Sequence, residues 1–197
     1  MSNLNKNNKA VIAFCLVLIA VAFRTVFHLG ANVELVTGMS LMSGAYLGLA
    51  WAVFVPLLIM AVSDVIIGNT LIFIFTWSAY LIIGLTGYLI LPKAKKSVKI
   101  IKATSLAVLS SLFFFFWTNF GVWLLDSFGM YSGDLTGLLD AYIFGLPFLK
   151  TNLVANLVIV PLSFYLLPRV FSLDNASERT EKSGNLITRL ITEYISL

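Results

Sequence analysis

Five stretches of this chain run apolar for twenty residues or more with little relief, at 9–29, 36–63, 71–91, 103–125 and 141–167. A soluble domain has nowhere to bury so much unbroken apolar chain. A lipid bilayer has, since its hydrocarbon core of about 30 Å takes about 20 helical residues. Only helices and closed barrels satisfy every backbone polar group there, and runs without period-two alternation point to helices. Charged residues make up 11% of the chain, against about 25% in ordinary soluble domains. The net charge of +4 does not mark a nucleic-acid binder, because a basic patch needs an aqueous face. The lone Cys15 excludes an internal disulfide and reads as a small apolar residue.

The second run is too long for one span. Its 28 residues would make a helix of about 42 Å. Charge placement supports dividing it. Lysine-rich segments stay on the cytoplasmic side, and Lys6 and Lys9 place the N-terminus there. Lys93, Lys95, Lys96, Lys99 and Lys102 belong on the same side, which requires an even number of spans between. Two short helices turning between Gly48 and Trp51 meet that need. The expected fold is all-α, a bundle of six transmembrane helices with both termini inside. Its spans are 9–29, 36–48, 51–64, 71–91, 103–125 and 141–167, in the cytoplasmic (inner) membrane of a bacterium. A cytoplasmic tail, 170–197, carries Leu186, Ile187, Leu190, Ile191, Tyr194 and Ile195 at helical spacing, which fits either a surface-lying helix or a frayed end. A competing reading makes the first run a signal peptide, with Ala20-Val21-Ala22 as cleavage site. Cleavage would leave five spans.

This topology sorts the charges. Eleven Lys/Arg and four Asp/Glu fall inside. Outside are Arg24 and Lys150 against five acids, Glu34, Asp64, Asp126, Asp134 and Asp140. Polar and aromatic residues gather at the same outer depth: Asn32, Asp64, Trp77, Tyr80, Asn119, Trp123 and Tyr142, with Lys150, Asn152 and Asn156 deeper. A charge within a span is costly and is a functional hypothesis by default. Each residue also has a plain structural reading. Lys150 pairs with Asp64 or a loop acid. Arg24 anchors at the interface, and Asp64 caps a turn. The asparagines hydrogen-bond between helices, the tryptophans belong to an interface belt, and His28 is solvated. Their shared depth favours an outward-opening half-depth pocket that captures a small molecule. Ser40, Gly44 and Gly48 form a small-xxx-small series for close helix packing or coupling to a partner, and Gly84 and Gly87 suit the same use.

Catalysis has little support. The chain has no H-E-x-x-H helix, no G-x-S-x-G elbow and no Walker A loop. One histidine and one cysteine, far apart, make neither a dyad nor a metal cluster. No cofactor is expected. An intramembrane enzyme would have to use His28. Lys150 as a retinal Schiff-base lysine lacks a counter-ion pattern.

Several short pieces in fixed order carry a family resemblance: Arg24, Asn32, Ser43-Gly44-Ala45-Tyr46, Pro56, Ser63-Asp64-Val65-Ile66-Ile67-Gly68, Thr118-Asn119-Phe120-Gly121-Val122-Trp123, Tyr131, Gly137-Leu138, Tyr142, Gly145-Leu146-Pro147-Phe148 and Asn152. Spread over about two thirds of the chain, they resemble the substrate-binding S components of energy-coupling-factor (ECF) transporters. The resemblance implies a six-helix subunit that binds a vitamin-like micronutrient from outside. It also implies docking on a transmembrane coupling subunit with two cytoplasmic ATPases. On it, Arg24, Asn119, Lys150 and Asn152 would orient ligand polar groups while Trp123 and Tyr142 stack on the ligand. The first helix departs from the A-x-x-x-A pattern common in such subunits, since Val17 stands four residues after Ala13. Ser40, Gly44 and Gly48 are the substitute. The competing function is a non-transporting scaffold or assembly subunit whose polar residues hold its helices together.

Overall fold

A computed structural model describes residues 4–27, 33–127 and 129–171. Asn32, His28 and the tail pattern from 186 to 195 lie outside the described residues.

The described chain is helical throughout. Helix α1 (Lys6–Ala22) continues into a π-helical turn, Phe23–Phe27. Helix α2 (Val36–Met42) likewise continues into a π-helical turn, Ser43–Leu47. Helices α3 (Leu49–Ile67), α4 (Phe73–Ile90), α5 (Lys96–Leu125) and α6 (Leu135–Val170) follow. Among the described residues, five helical stretches are long and apolar enough to cross a membrane: Lys6–Phe27, Leu49–Ile67, Phe73–Ile90, Val98–Leu125 and Leu135–Val170. Large apolar side chains point outward along them, among them Phe14, Val65, Leu109, Ile143 and Val154. Such a surface is at home in hydrocarbon, and the chain is a membrane protein.

The long second run breaks at Gly48. Its φ of 102° is open to glycine and costly for other residues, so one residue turns α2 into α3. The segment before the break, 36–47, would be about 18 Å long, too short to span by itself. Every one of its residues is buried, as befits a helix apolar on all sides. It touches all five long helices and forms the bundle's centre. Helices α5 and α6 are longer than their apolar runs. Helix α5 starts among the lysines at Lys96 instead of 103, because lysine is a good helix former. Helix α6 starts at Leu135 instead of 141, because Asp134 caps it by accepting the Gly137 N–H at 3.0 Å.

Close approach at the centre needs small residues. A Cβ on Gly84 would collide with the Ala52 carbonyl oxygen of α3, and one on Gly44 with backbone atoms of Gly84 and Tyr88 in α4. Ser40, Gly44 and Gly48 are all buried inside this packing, so the series is used within the chain's own bundle and offers no outer face.

The helices alternate in direction. Arg24 on α1 meets Asp64 on α3, so both helices end on one side, where α4 and α6 begin and α5 ends. This Asp64 end also holds the 126–134 connection. There Asp126, left-handed at φ 33°, accepts the Met130 and Tyr131 N–H groups at 2.8 and 3.2 Å. The opposite, lysine end holds the start of α1, Gly48, the connection from 91 to 95 and the end of α6.

Two outcomes follow. Gly84→Ala and Gly44→Ala should each cost about 1–3 kcal/mol by overpacking, read as a lower thermal midpoint in detergent. Gly133→Ala, with no neighbour within 4 Å of the added Cβ, should leave it unchanged. The second concerns Asp134, whose carboxyl is held below the usual carboxylate range by the Ser132 hydroxyl and then the Gly137 N–H. A lowered folded-state pKa means the cap acts fully above the unfolded value of about 3.9 and is lost as pH falls through the folded one. Hydrogen exchange at Gly137 and Leu138 should quicken on acidification through that window, and Asp134→Asn should flatten this dependence.

Candidate functional site

The chain places a cation and two acids together at the Asp64 end. Asp64 lies on the last turn of α3, where the helix dipole disfavours a negative charge. Three donors offset this. Arg24 Nη2 reaches Asp64 Oδ1 at 2.9 Å. Asn69 Nδ2 and Trp77 Nε1 reach Oδ2 at 2.6 and 2.7 Å. The local chain explains the arrangement. Gly68, at φ 77°, ends α3, and a short connection folds Asn69 back before α4 brings Trp77 alongside on its first turns. Arg24 crosses from the π-helical turn of α1 and lies along one face of α3. There Met60, one turn below Asp64, meets Nη1 through its sulfur at 2.7 Å. The side chains of Arg24 and Asp64 are 20% and 7% exposed.

Glu34 stands next to this pair and is also buried. Its carboxylate accepts the Val36 N–H and, at 3.1 Å, the Thr37 hydroxyl, which caps the start of α2. The Tyr80 hydroxyl of α4 lies beside Glu34, and the charge of Arg24 acts on both. The Tyr80 ring packs on Phe114 of α5 with centroids 4.9 Å apart. The group thus draws on α1, α3 and α4, on the head of α2, and on α5 through a ring contact. Asp64 accepts from three donors. Arg24 retains guanidinium N–H groups beyond those bound to Asp64 and facing Met60. The arrangement suits holding and orienting a polar ligand. Among the described residues no three His, Cys, Asp or Glu side chains gather to hold a metal ion.

The other sequence-predicted residues are elsewhere. Asn119 Nδ2 bonds the Phe115 carbonyl one turn back at 2.8 Å, and its side chain fills the space over Gly145. The Tyr142 hydroxyl donates to the Phe116 carbonyl at 3.2 Å. Trp123 Nε1 donates to the Ser132 carbonyl at 3.0 Å. Asn156 Nδ2 links Ser111 and Asn152, both at 3.0 Å. The Tyr142–Phe116 and Asn156–Ser111 bonds hold α5 against α6. Lys150 does not join Asn152. Two residues apart on a helix are about 200° apart around it, so Asn152 is buried while Lys150 is exposed. Lys150 pairs with no acid among the described residues, Asp64 included.

Of the residues expected from the sequence, the structure brings Arg24, Asp64, Trp77 and Tyr80 together, and it adds Glu34, Asn69 and Met60, which the sequence reading left out of the site. Met60 stands four residues before Asp64, a spacing that marks one helix face.

Replacing Asp64 should be costly, because Arg24, Asn69 and Trp77 would lose a shared acceptor. Asp64→Leu should lower stability by about 3 kcal/mol, the low end for a broken buried pair, since part of Arg24 reaches solvent. Arg24→Met together with Asp64→Leu should recover a substantial part of the loss. Thermal midpoints of the four proteins in detergent check this cycle.

The profile of a family of unknown function (DUF6580) matches residues 4–173. No curated protein and no solved structure matches the chain. With most of its length inside that match, the chain belongs to the DUF6580 family.

Proposed function

We propose that this protein is a membrane-embedded binding subunit that captures a small molecule at the Asp64 end. The observation that carries the reading is the group of Arg24, Asp64, Trp77, Glu34 and Tyr80, in which both acids and the tyrosine are buried. Buried charges are expensive, and interhelical glue alone does not require two acids and a cation from separate helices. A guanidinium held by a carboxylate that two further donors fix is a pre-oriented donor, and the Trp77 and Tyr80 rings supply apolar walls. On the positive-inside rule the lysine end faces the cytoplasm of a bacterium and the Asp64 end faces outward. The buried α2 then counts as the second of six membrane elements. The order of short motifs resembles ECF-transporter S components. The same reading makes the chain a non-enzymatic subunit, with transport of a vitamin-like micronutrient powered by a partner coupling subunit and ATPases.

One observation favours a scaffold instead. Asn119, Trp123, Tyr142 and Asn156 spend their hydrogen bonds inside the α5–α6 pair and its connection. Those residues serve packing under either reading, and the charges gathered at the Asp64 end support the binding reading.

Native mass spectrometry of the detergent-solubilised protein tests this. The expected result is a bound small molecule released on unfolding. Tyr80→Phe and Arg24→Gln should lower its retention by about tenfold or more, the weight of one lost hydrogen bond to a charged group, while helicity is kept. A folded protein that carries no ligand and also purifies without coupling subunit or ATPases supports the scaffold.

A further inference from the structure

Lys150 is placed where a membrane protein standing alone would not keep it. It lies within a stripe along α6 formed by Ile143, Leu146, Pro147, Val154 and Leu157, all exposed. Ile143 and Val154, on either side of it, are 57% and 58% exposed. The opposite face of α6, with Gly145, Asn152, Asn156 and Val160, is buried.

The depth of Lys150 follows from the antiparallel pairing of α5 and α6. Tyr142 bonds Phe116, Gly145 faces Asn119, and Asn156 bonds Ser111. Between these levels, Lys150 stands opposite Phe114 and Phe115. Phe114 is twelve residues from Lys102 and twelve from Asp126, the charges that bound the apolar stretch of α5. That is about 18 Å from each, so Lys150 is near the middle of a hydrocarbon core about 30 Å thick. A lysine stem does not snorkel that far, and phospholipid headgroups remain at the faces. A cation on a lipid-facing stripe at mid-depth calls for an opposite charge at the same depth.

The described residues of a second copy of this chain do not offer one. Among the described residues, Glu34 and Asp64 are buried and Asp126 and Asp134 belong to the connection at one end. Asp140 is ten residues from Lys150 along α6, about 15 Å towards that end.

We infer that the Ile143–Leu157 face of α6 docks a transmembrane helix of a different polypeptide, which presents an Asp or Glu carboxylate to Lys150 near the bilayer centre. The apolar stripe supplies the packing and the ion pair fixes depth and partner choice. The inference stands apart from ligand capture, since a scaffold would use the same face.

The test places the photo-crosslinking residue benzoylphenylalanine at Leu146 or at Val154 in the full chain, in native membranes. Both positions should yield one adduct with the same second polypeptide, which has an acidic residue within a membrane span. Lys150→Glu should lower that adduct by at least about tenfold, and lysine in place of the partner's acid should restore it. Should Lys150→Glu fail to insert, Lys150→Leu should show the same loss, restored by leucine at the partner's acid. In the isolated protein Lys150→Leu should keep or raise the thermal midpoint. Adducts with lipid alone, an adduct of twice this chain's mass, or a second polypeptide whose adduct does not respond to the charge change would overturn the inference. So would a lower midpoint for Lys150→Leu, which would place Lys150 in a contact within the chain.

Discussion

The ion pair between Arg24 and Asp64 joins the ends of α1 and α3, and the arrangement of the Asp64 end depends on it. Neither charge is stable alone in a low-dielectric surround. Together, with Asn69 and Trp77 on the second carboxylate oxygen, they convert a poorly placed acid at a helix C-terminus into a fixed centre. Three elements register on it: the π-helical turn of α1, the last turn of α3 and the first turns of α4. Glu34 and Tyr80 extend the group towards α2 and α5.

The centre of the bundle is organised on the opposite principle. Helix α2 is short, buried all round and surrounded by longer helices. Its close approach to α4 relies on Gly87, and that of the turn after it on Gly44, while Gly84 brings α4 against α3. Hydrophobic driving force is weak between helices surrounded by lipid, so close backbone contact and dispersion hold them. A rigid centre with few polar side chains beneath a charged, donor-rich end suits a protein that binds at one end and remains packed below it. This division of labour supports the binding-subunit proposal over a uniform polar glue.

Much of the fold was legible because of the solvent the sequence implies. In hydrocarbon, run length translates directly into helices, and an over-long run must break. Gly48, at the near edge of the expected turn, supplies the break. Arg24 and Asp64 stood out because charges are rare inside apolar runs. Trp77 was legible by depth, since it is about one turn into α4. Depth failed for Asn119, Trp123 and Tyr142, which share the height of the Asp64 group but turn towards the α5–α6 seam. Glu34 was visible as an acid, yet its place beside Tyr80 depends on α2 being folded into the centre. A linear pattern does not carry that fact.

By itself the sequence determined the membrane class, the apolar runs and the position of the break. Each follows from hydropathy, residue count and the conformational range of glycine, all local properties. Only the tertiary structure decided azimuth, meaning which side of each helix faces the bundle. Asn152 and Lys150 are two residues apart and both polar, but packing against Asn156 and Ser111 draws one inward and leaves the other on the outer stripe. The rotation of a helix is set by the neighbours it packs against. In α6 those neighbours are α5 and the buried α2, brought there by the folding of the whole chain.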